Sequence, residues 1–392
     1  MSVVSKKNYI TFGEPDIGKE EVKAVSDVLK SRWIGTGPKT QQFEKAICDY
    51  TGAKAACALN SCTAALHLAL VGKGIGAGDE VITTPLTFCA SANAIVHAGA
   101  KPVFVDVDPA TMNIDPARIE KAITKRTKAI LPVHMAGRPC EMDAILRIAK
   151  KHRLIVIEDA AHALGASYRG KRVGNLSDVT CLSFYVTKNI TTAEGGMITT
   201  NDKKFADHIR VLSLHGMSKD AWKRYSASGY AHYEVVVPGF KYNLTDMASA
   251  LGLVQMKKMA RSAVRRTKIW NEYAKSFRDL PITLPSPTPS HMVHARHLYT
   301  VLVDTKTAGM SRDDFMQALH ERGVGTGVHF RPVHLHEYYR KRFGFKKGAF
   351  PHAEYIGERT VSLPLSSALS EAQVARIVRA VREILLAAKR HG

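Results

Sequence analysis

Apolar residues in the first two-thirds of the chain come in short, nearly unbroken runs separated by amphipathic stretches. The runs at 53–59, 80–84, 102–107, 129–133, 154–157, 180–184 and 197–200 are mostly rich in Val, Ile and Leu, and are bounded by Gly, Pro, Asp or Asn. Such runs predict buried strands, because a strand covered on both faces has no polar side to present. Between most of them the apolar positions recur at helical spacing, as at 64–70, 90–97, 116–123 and 142–151. Strands that alternate with helices need crossover connections, and so a mostly parallel sheet with helices on both faces. The fold class expected is α/β.

The tail changes character. Prolines gather over 280–291, a pattern that suggests a bend or link between two lobes. Beyond it the pattern predicts a strand at 298–303, a helix at 312–322 and a closing helix. Ser370 with Gln373 three residues on is the capping-box signature for that last helix. Its apolar stripe, Val374, Ile377, Val378, Val381 and Leu385, has ordinary core-facing spacing. The division expected is a large α/β domain over 15–255 and a smaller C-terminal α+β domain over 256–392, with residues 1–14 packing on the smaller one.

Composition narrows the class. The chain has 392 residues, 45% of them hydrophobic, enough for a large core. No apolar run reaches bilayer-spanning length, and the first residues lack the apolar core of a signal peptide, so a cytoplasmic protein with no membrane insertion is expected. The six cysteines (Cys48, Cys57, Cys62, Cys89, Cys140, Cys181) show no C-x-x-C spacing and read as reduced thiols, with no metal site. The formal charge of +21 is compatible with an anionic partner. Yet the basic residues are spread along the chain, with short clusters such as YYRKRFGFKKG (338–348), and no nucleic-acid-binding motif accompanies them. A solvated basic surface is the simpler reading, with no nucleic-acid partner.

In a doubly wound sheet, ligands gather at the carboxyl ends of the strands. Three strand ends here carry unusual residues. LIVIEDAAH ends an apolar run in Glu158 and Asp159 with His162 just beyond; CLSFYVTKNITTAEGG places Ser183 at a strand end and Lys188 shortly after; ALNSCTAALHLAL runs through Ser61, Cys62 and Thr63 straight into a helix. Each feature alone is commonplace, because carboxylates cap helices, lysines decorate surfaces and such turns often bind nothing. Together they supply what pyridoxal 5′-phosphate (PLP) asks of a protein. The aldehyde needs an amine, the phosphate needs N–H and hydroxyl donors, and the pyridine nitrogen needs a carboxylate to keep it protonated. The glycine run GKGIGAG (72–78) neither follows a strand nor opens a helix, so it reads as a turn. His134, His294 and His297 read as structural.

At these residues the sequence resembles the DegT/DnrJ/StrS family of PLP-dependent sugar aminotransferases. The resemblance runs nearly end to end, from SRWIGTGPKTQQFE to SLPL at 362–365, with EDAAHALGA and SFYVTKNITTAEGGM as its core. It implies PLP fold-type I, the aspartate-aminotransferase-like architecture. PGFKYNLTDM (238–247) and GVGTGVHFRPVH (323–334) are similar to the branch that makes UDP-4-amino-4-deoxy-L-arabinose. The resemblance implies Lys188 as the Schiff-base lysine, Asp159 beside the pyridine nitrogen, and His162 near the phenolic oxygen. It implies Ser61, Cys62, Thr63 and Ser183 around the phosphate, Phe88 stacked on the ring, and Asn243 reaching the phosphate from the second subunit of a homodimer. Thr36, Lys39 and His329 would face the substrate. Cys62 stands where the family usually has Gly, and a side chain there can either still let the amide reach the phosphate or crowd the turn. The activity implied is transfer of an amino group from L-glutamate to a keto-sugar nucleotide, with a UDP-linked 4-keto sugar as the branch expectation and a cell-surface polysaccharide or lipid as the destination. The alternatives are a PLP-dependent sugar dehydratase, which in this family has His at the lysine position, and a basic regulatory or binding protein that has kept the fold without the chemistry.

Overall fold

The computed structural model describes residues 9–218 and 233–391. Residues 1–8, part of the segment expected to pack on the C-terminal domain, lie outside the described residues. Seven strands form the main sheet: β1 (Ala55–Leu59), β2 (Glu80–Thr83), β3 (Lys101–Phe104), β4 (Thr127–Ile130), β5 (Ile155–Asp159), β8 (Val179–Ser183) and β9 (Gly196–Thr200). Their spatial order is β1-β9-β8-β5-β4-β2-β3. All point the same way except β9, which pairs antiparallel with both β1 and β8. The hairpin β6 (Ser167–Tyr168) and β7 (Lys171–Arg172) lies between β5 and β8 in the chain and joins β11 (Met292–Val293) in a small separate sheet.

Each predicted strand and helix of the first two-thirds is present, with ends shifted by a few residues. The informative shift is β5, which continues through Glu158 and Asp159. Polar residues stay in this strand because their groups are satisfied. Glu158 is fully buried and accepts hydrogen bonds from His134 Nε2 at 2.7 Å, Ser177 Oγ at 2.7 Å and Thr180 Oγ1 at 2.8 Å. His134 Nδ1 in turn accepts the Cys140 amide at 3.0 Å, so the proton sits on Nε2, facing the carboxylate. This network fixes the strand end from which Asp159 projects.

The C-terminal part has its own core. β12 (Tyr299–Val303) is flanked by β10 (Ile282–Thr283) and β13 (Thr360–Leu363), all antiparallel. Helices Arg312–Glu321 and Glu371–His391 bury Phe315, Ile377 and Val381 against Tyr299 and Val361. The last helix opens with the predicted capping box, Ser370 N donating to Gln373 Oε1 at 2.8 Å and Gln373 N to Ser370 Oγ at 3.2 Å. Ile10 bridges to Val324 and is buried in this same core. The 31-residue helix Asp246–Ser276 joins the two cores. At 1.5 Å per residue it is about 46 Å long. Its N-terminal half packs on helices Lys19–Ser31 and Pro38–Thr51, whereas Ile269 and Tyr273 are buried in the C-terminal core. The first connection between the cores is therefore an unbroken helix that crosses positions 255 and 256, and the proline-rich segment runs from β10 of the C-terminal sheet to β11 beside the β6–β7 hairpin. Among the described residues no helix is long and apolar enough to cross a membrane. No group of three or more His, Cys, Asp or Glu residues there could hold a metal ion.

Candidate active site

A cavity of about 500 Å³ opens at the carboxyl ends of β1, β5 and β8. Nine of the residues singled out from the sequence line it: Ser61, Cys62, Thr63, Phe88, Asp159, His162, Ser183, Lys188 and His329. The sheet order explains the gathering, since β9 brings β1 to within one strand of β8, and β8 neighbours β5.

The Ser61–Thr63 turn is the start of helix Cys62–Gly72. Ser61 is its N-cap, with Oγ accepting from Ala64 N at 3.0 Å. A helix start of this kind presents unpaired N–H groups to one point, where an anion is favoured. Cys62 does not crowd the turn as its departure from the family's Gly suggested. Its Sγ is buried toward Cys181 O at 3.7 Å, so the side chain leaves the cavity face to the amide. The close approach is made instead at Gly196 of β9, where a Cβ would lie 2.4 Å from Cys62 N. Any side chain there would displace the turn.

Asp159 is held at both oxygens. Oδ1 accepts the Ala161 amide at 3.1 Å, and Oδ2 accepts Ser91 Oγ at 2.6 Å, with Ser91 linked to Thr87 Oγ1 at 2.8 Å. These contacts fix the direction of the carboxylate. Lys188 follows β8 in a turn closed by its own amide on Tyr185 O at 2.9 Å. Burial lowers its ammonium pKa to about 8, outweighing the opposing attraction of nearby acidic groups including Asp159.

Three neutral histidines complete the floor and wall. Burial, then the Lys188 charge, pushes the His162 pKa well below the ordinary value. His297 is likewise held well below it, by burial first and then by His162 and Lys188, and His329 is lowered to about 4. His162 is stacked on Phe330 at 6.0 Å and tilted against His297 at 4.6 Å, and His329 Nδ1 bonds Ser362 Oγ at 2.8 Å. Phe88 is 58% exposed, its ring standing 5.9 Å from Phe330. A large exposed aromatic over a cavity is positioned to stack on a planar ligand.

Thr36, Lys39 and Asn243 are not in this cavity. Asn243 bridges to Leu59, beside the turn, and its Nδ2 donates to Thr36 Oγ1 at 2.6 Å. The Lys39 amide donates to Asp246 Oδ2 at 3.1 Å while its exposed ammonium meets Gln42. The three form a separate surface beside β1. Reading His297 as structural needs correction, since it lines the cavity and packs on His162. Ser91 and Phe330 were missed altogether. Ser91 lies three residues from Phe88 on the next helix, and Phe330 adjoins His329, so nearness to a flagged residue was their only sequence signal.

These residues fit PLP. His162 Nδ1 is buried without any hydrogen-bond partner, which leaves one polar atom in the wall awaiting a ligand group. Asp159, the N–H groups at the start of the turn's helix and Lys188 surround the same space, where they would meet a ring nitrogen, a phosphate and an aldehyde. The lowered Lys188 pKa gives a test. Only a neutral amine attacks an aldehyde, so the rate at which apoprotein captures PLP is expected to rise with pH and level off above about 8. Stopped-flow absorbance measures it, and a profile still climbing past pH 10, as for an ordinary lysine, would refute the placement.

The sequence matches the model of the DegT/DnrJ/EryC1/StrS aminotransferase family over residues 15–382. It is 50% identical over 385 residues to the spore coat polysaccharide biosynthesis protein SpsC of Bacillus subtilis, covering 98% of this chain and 99% of that protein. Among solved structures, Spr1654 of Streptococcus pneumoniae in its PLP form superposes with a TM-score of 0.90 at 34% identity, covering 97% of this chain and 99% of that one. PseC of Helicobacter pylori, an aminotransferase involved in the biosynthesis of pseudoaminic acid, gives 0.89 at 32% identity, with 97% and 100% covered. With its sheet, its cavity and this match over nearly its whole length, the chain belongs to the DegT/DnrJ/EryC1/StrS aminotransferase family and is a PLP-dependent aminotransferase.

Proposed function

We propose that this enzyme moves an amino group from L-glutamate to the keto carbon of a nucleotide-linked sugar, and that the amino-sugar serves polysaccharide biosynthesis. The observation that carries the reading is the convergence of Lys188, Asp159 and the Ser61–Thr63 turn on one cavity. The sugar rests on the relatives, one named for spore coat polysaccharide biosynthesis and another for pseudoaminic acid biosynthesis. A UDP-linked 4-keto sugar is the acceptor suggested by the 238–247 and 323–334 stretches.

When bound, PLP supplies an electron sink for the negative charge that develops at the donor's α-carbon. Lys188 Nζ holds the cofactor, then removes the proton from that α-carbon. In the second half of the cycle it delivers a proton to the acceptor's carbon, acting as base and acid in turn. Asp159 keeps the proton on the ring nitrogen. His162, neutral, would offer its Nδ1 to the phenolic oxygen, and Phe88 would stack on the ring. Ser61, Thr63, Ser183 and the Cys62 amide bind the phosphate. His329, neutral and fixed by Ser362, faces the sugar. Asn243 of the partner subunit completes the phosphate site in a homodimer, with Thr36 and Lys39 lining the nucleotide approach.

The test is the visible spectrum of the holoenzyme. L-Glutamate is expected to bleach the cofactor band with release of 2-oxoglutarate, and a keto-sugar nucleotide to restore it. Bleaching without restoration by any keto-sugar nucleotide, with restoration by a simple keto acid, would overturn the sugar assignment.

A further inference from the structure

A second cavity, of about 560 Å³, shares no lining residue with the first. It lies where helix Asp246–Ser276, the β6–β7 hairpin and the segment 288–296 meet, and Asn189, next to Lys188, forms part of its wall. Its size is that of a small-molecule site. Its lining includes Arg172, Arg266 and Arg296, and no carboxylate among the described residues.

None of these arginines is paired with an acid among the described residues. Arg266 is 4% exposed, and its Nη1 donates only to carbonyl oxygens, the shortest contact being 2.8 Å to Leu365 O. Its Nε is buried with no acceptor at all. Burial alone lowers its pKa to about 10, with no anion nearby to oppose the shift. A buried cation without a counter-charge is expensive, and an anion delivered to it recovers much of that penalty. Arg172 sits over Tyr50, its Cζ 4.2 Å from the ring centre, and donates to its hydroxyl at 2.8 Å, so its guanidinium is already oriented. His294 lines the same cavity and accepts the Arg296 amide at Nδ1, 2.8 Å away. Burial, with Arg138 and Arg296 near it, lowers its pKa to about 3, so the ring is neutral and carries its proton on Nε2 as one more donor.

We propose that this cavity binds a small phosphate-bearing molecule, gripped by Arg172, Arg266 and Arg296. Guanidinium groups meet phosphate oxygens through paired, charge-assisted hydrogen bonds, which a lone halide or an uncharged ligand cannot reproduce. The site is separate from the cofactor's phosphate turn. It nonetheless meets the catalytic cavity at His297, whose Nδ1 donates to Asn189 Oδ1 at 3.2 Å and whose carbonyl oxygen accepts from Arg266 Nη1 at 3.4 Å. Three of the chain's surplus positive charges thereby acquire a purpose.

The test is calorimetric titration of the PLP-loaded enzyme, whose cofactor turn is already filled, with inorganic phosphate, pyrophosphate and glucose 1-phosphate. Saturable binding of at least one is expected. It should weaken about ten-fold or more in the Arg172→Gln/Arg296→Gln double variant, which removes charge but no catalytic group, and the visible cofactor band should be retained. Ser290→Glu, which adds a carboxylate to the wall without removing an arginine, should weaken binding as well. Preference for glucose 1-phosphate assigns the cavity to a phosphate ester, and preference for the inorganic ions to free phosphate. Absence of binding by all three, or binding that both variants leave unchanged, overturns the proposal.

Discussion

Replacing Lys188 with Ala is expected to lower turnover by at least about a thousand-fold, roughly 4 kcal/mol of barrier, because in the proposed mechanism one amine both holds the cofactor and carries the proton. No other lysine lines the cavity among the described residues, so no neighbour can substitute. The variant should still bind PLP through the phosphate turn, Asp159 and Phe88, but without the visible band that depends on the lysine. Small amines such as methylamine should restore part of the rate, since the truncated side chain leaves room for them. Single-turnover absorbance with glutamate measures both effects. Near-normal turnover in the variant would remove Lys188 from the mechanism, and a rate that methylamine leaves unchanged would point to a collapsed site.

Asp159→Asn is the second large effect. An opposite charge at close range shifts a pKa by about 1–3 units, so a neutral amide beside the ring nitrogen should slow the proton-removal step by roughly ten- to a thousand-fold. The amide is close in shape to the carboxylate, so folding should persist. The Ala161 amide and Ser91 hydroxyl, both donors, would then face an NH₂ group at one of the two oxygens. The loss should appear in kcat far more than in KM, because the substrate does not meet this residue directly. Equal changes in both constants would instead mark Asp159 as a packing residue.

Much of this site was legible because its members sit at the ends of apolar runs. LIVIEDAAH and CLSFYVTKN each announce a strand that stops in chemistry, and the periodicity change after Leu59 announces a helix start. The missing parts are of two kinds. Antiparallel β9 has the same apolar content as a parallel strand, so direction could not be read from composition. Ser91, His297 and Phe330 act through neighbours distant in sequence: Ser91 meets Asp159 across 68 positions. No local pattern encodes a partner of that kind. The 31-residue helix escaped notice because its apolar positions face two different cores in turn, which blurs any single stripe.

The pairing of β1 with β9 also governs how the protein comes into being. Ala55 lies opposite Thr200, so the first strand of the main sheet emerges from the ribosome about 140 residues before β9, its neighbour in that sheet. At 5–20 residues per second the wait is on the order of ten seconds, with an apolar edge exposed. Pairing at such separation is slow and favours aggregation over productive collapse. The phosphate turn hangs from the end of this waiting strand, so cofactor capture reports completion of the sheet. Recovery of the visible band during refolding should therefore trail recovery of helical signal, and added PLP should raise the yield by trapping chains in which the two strands have met.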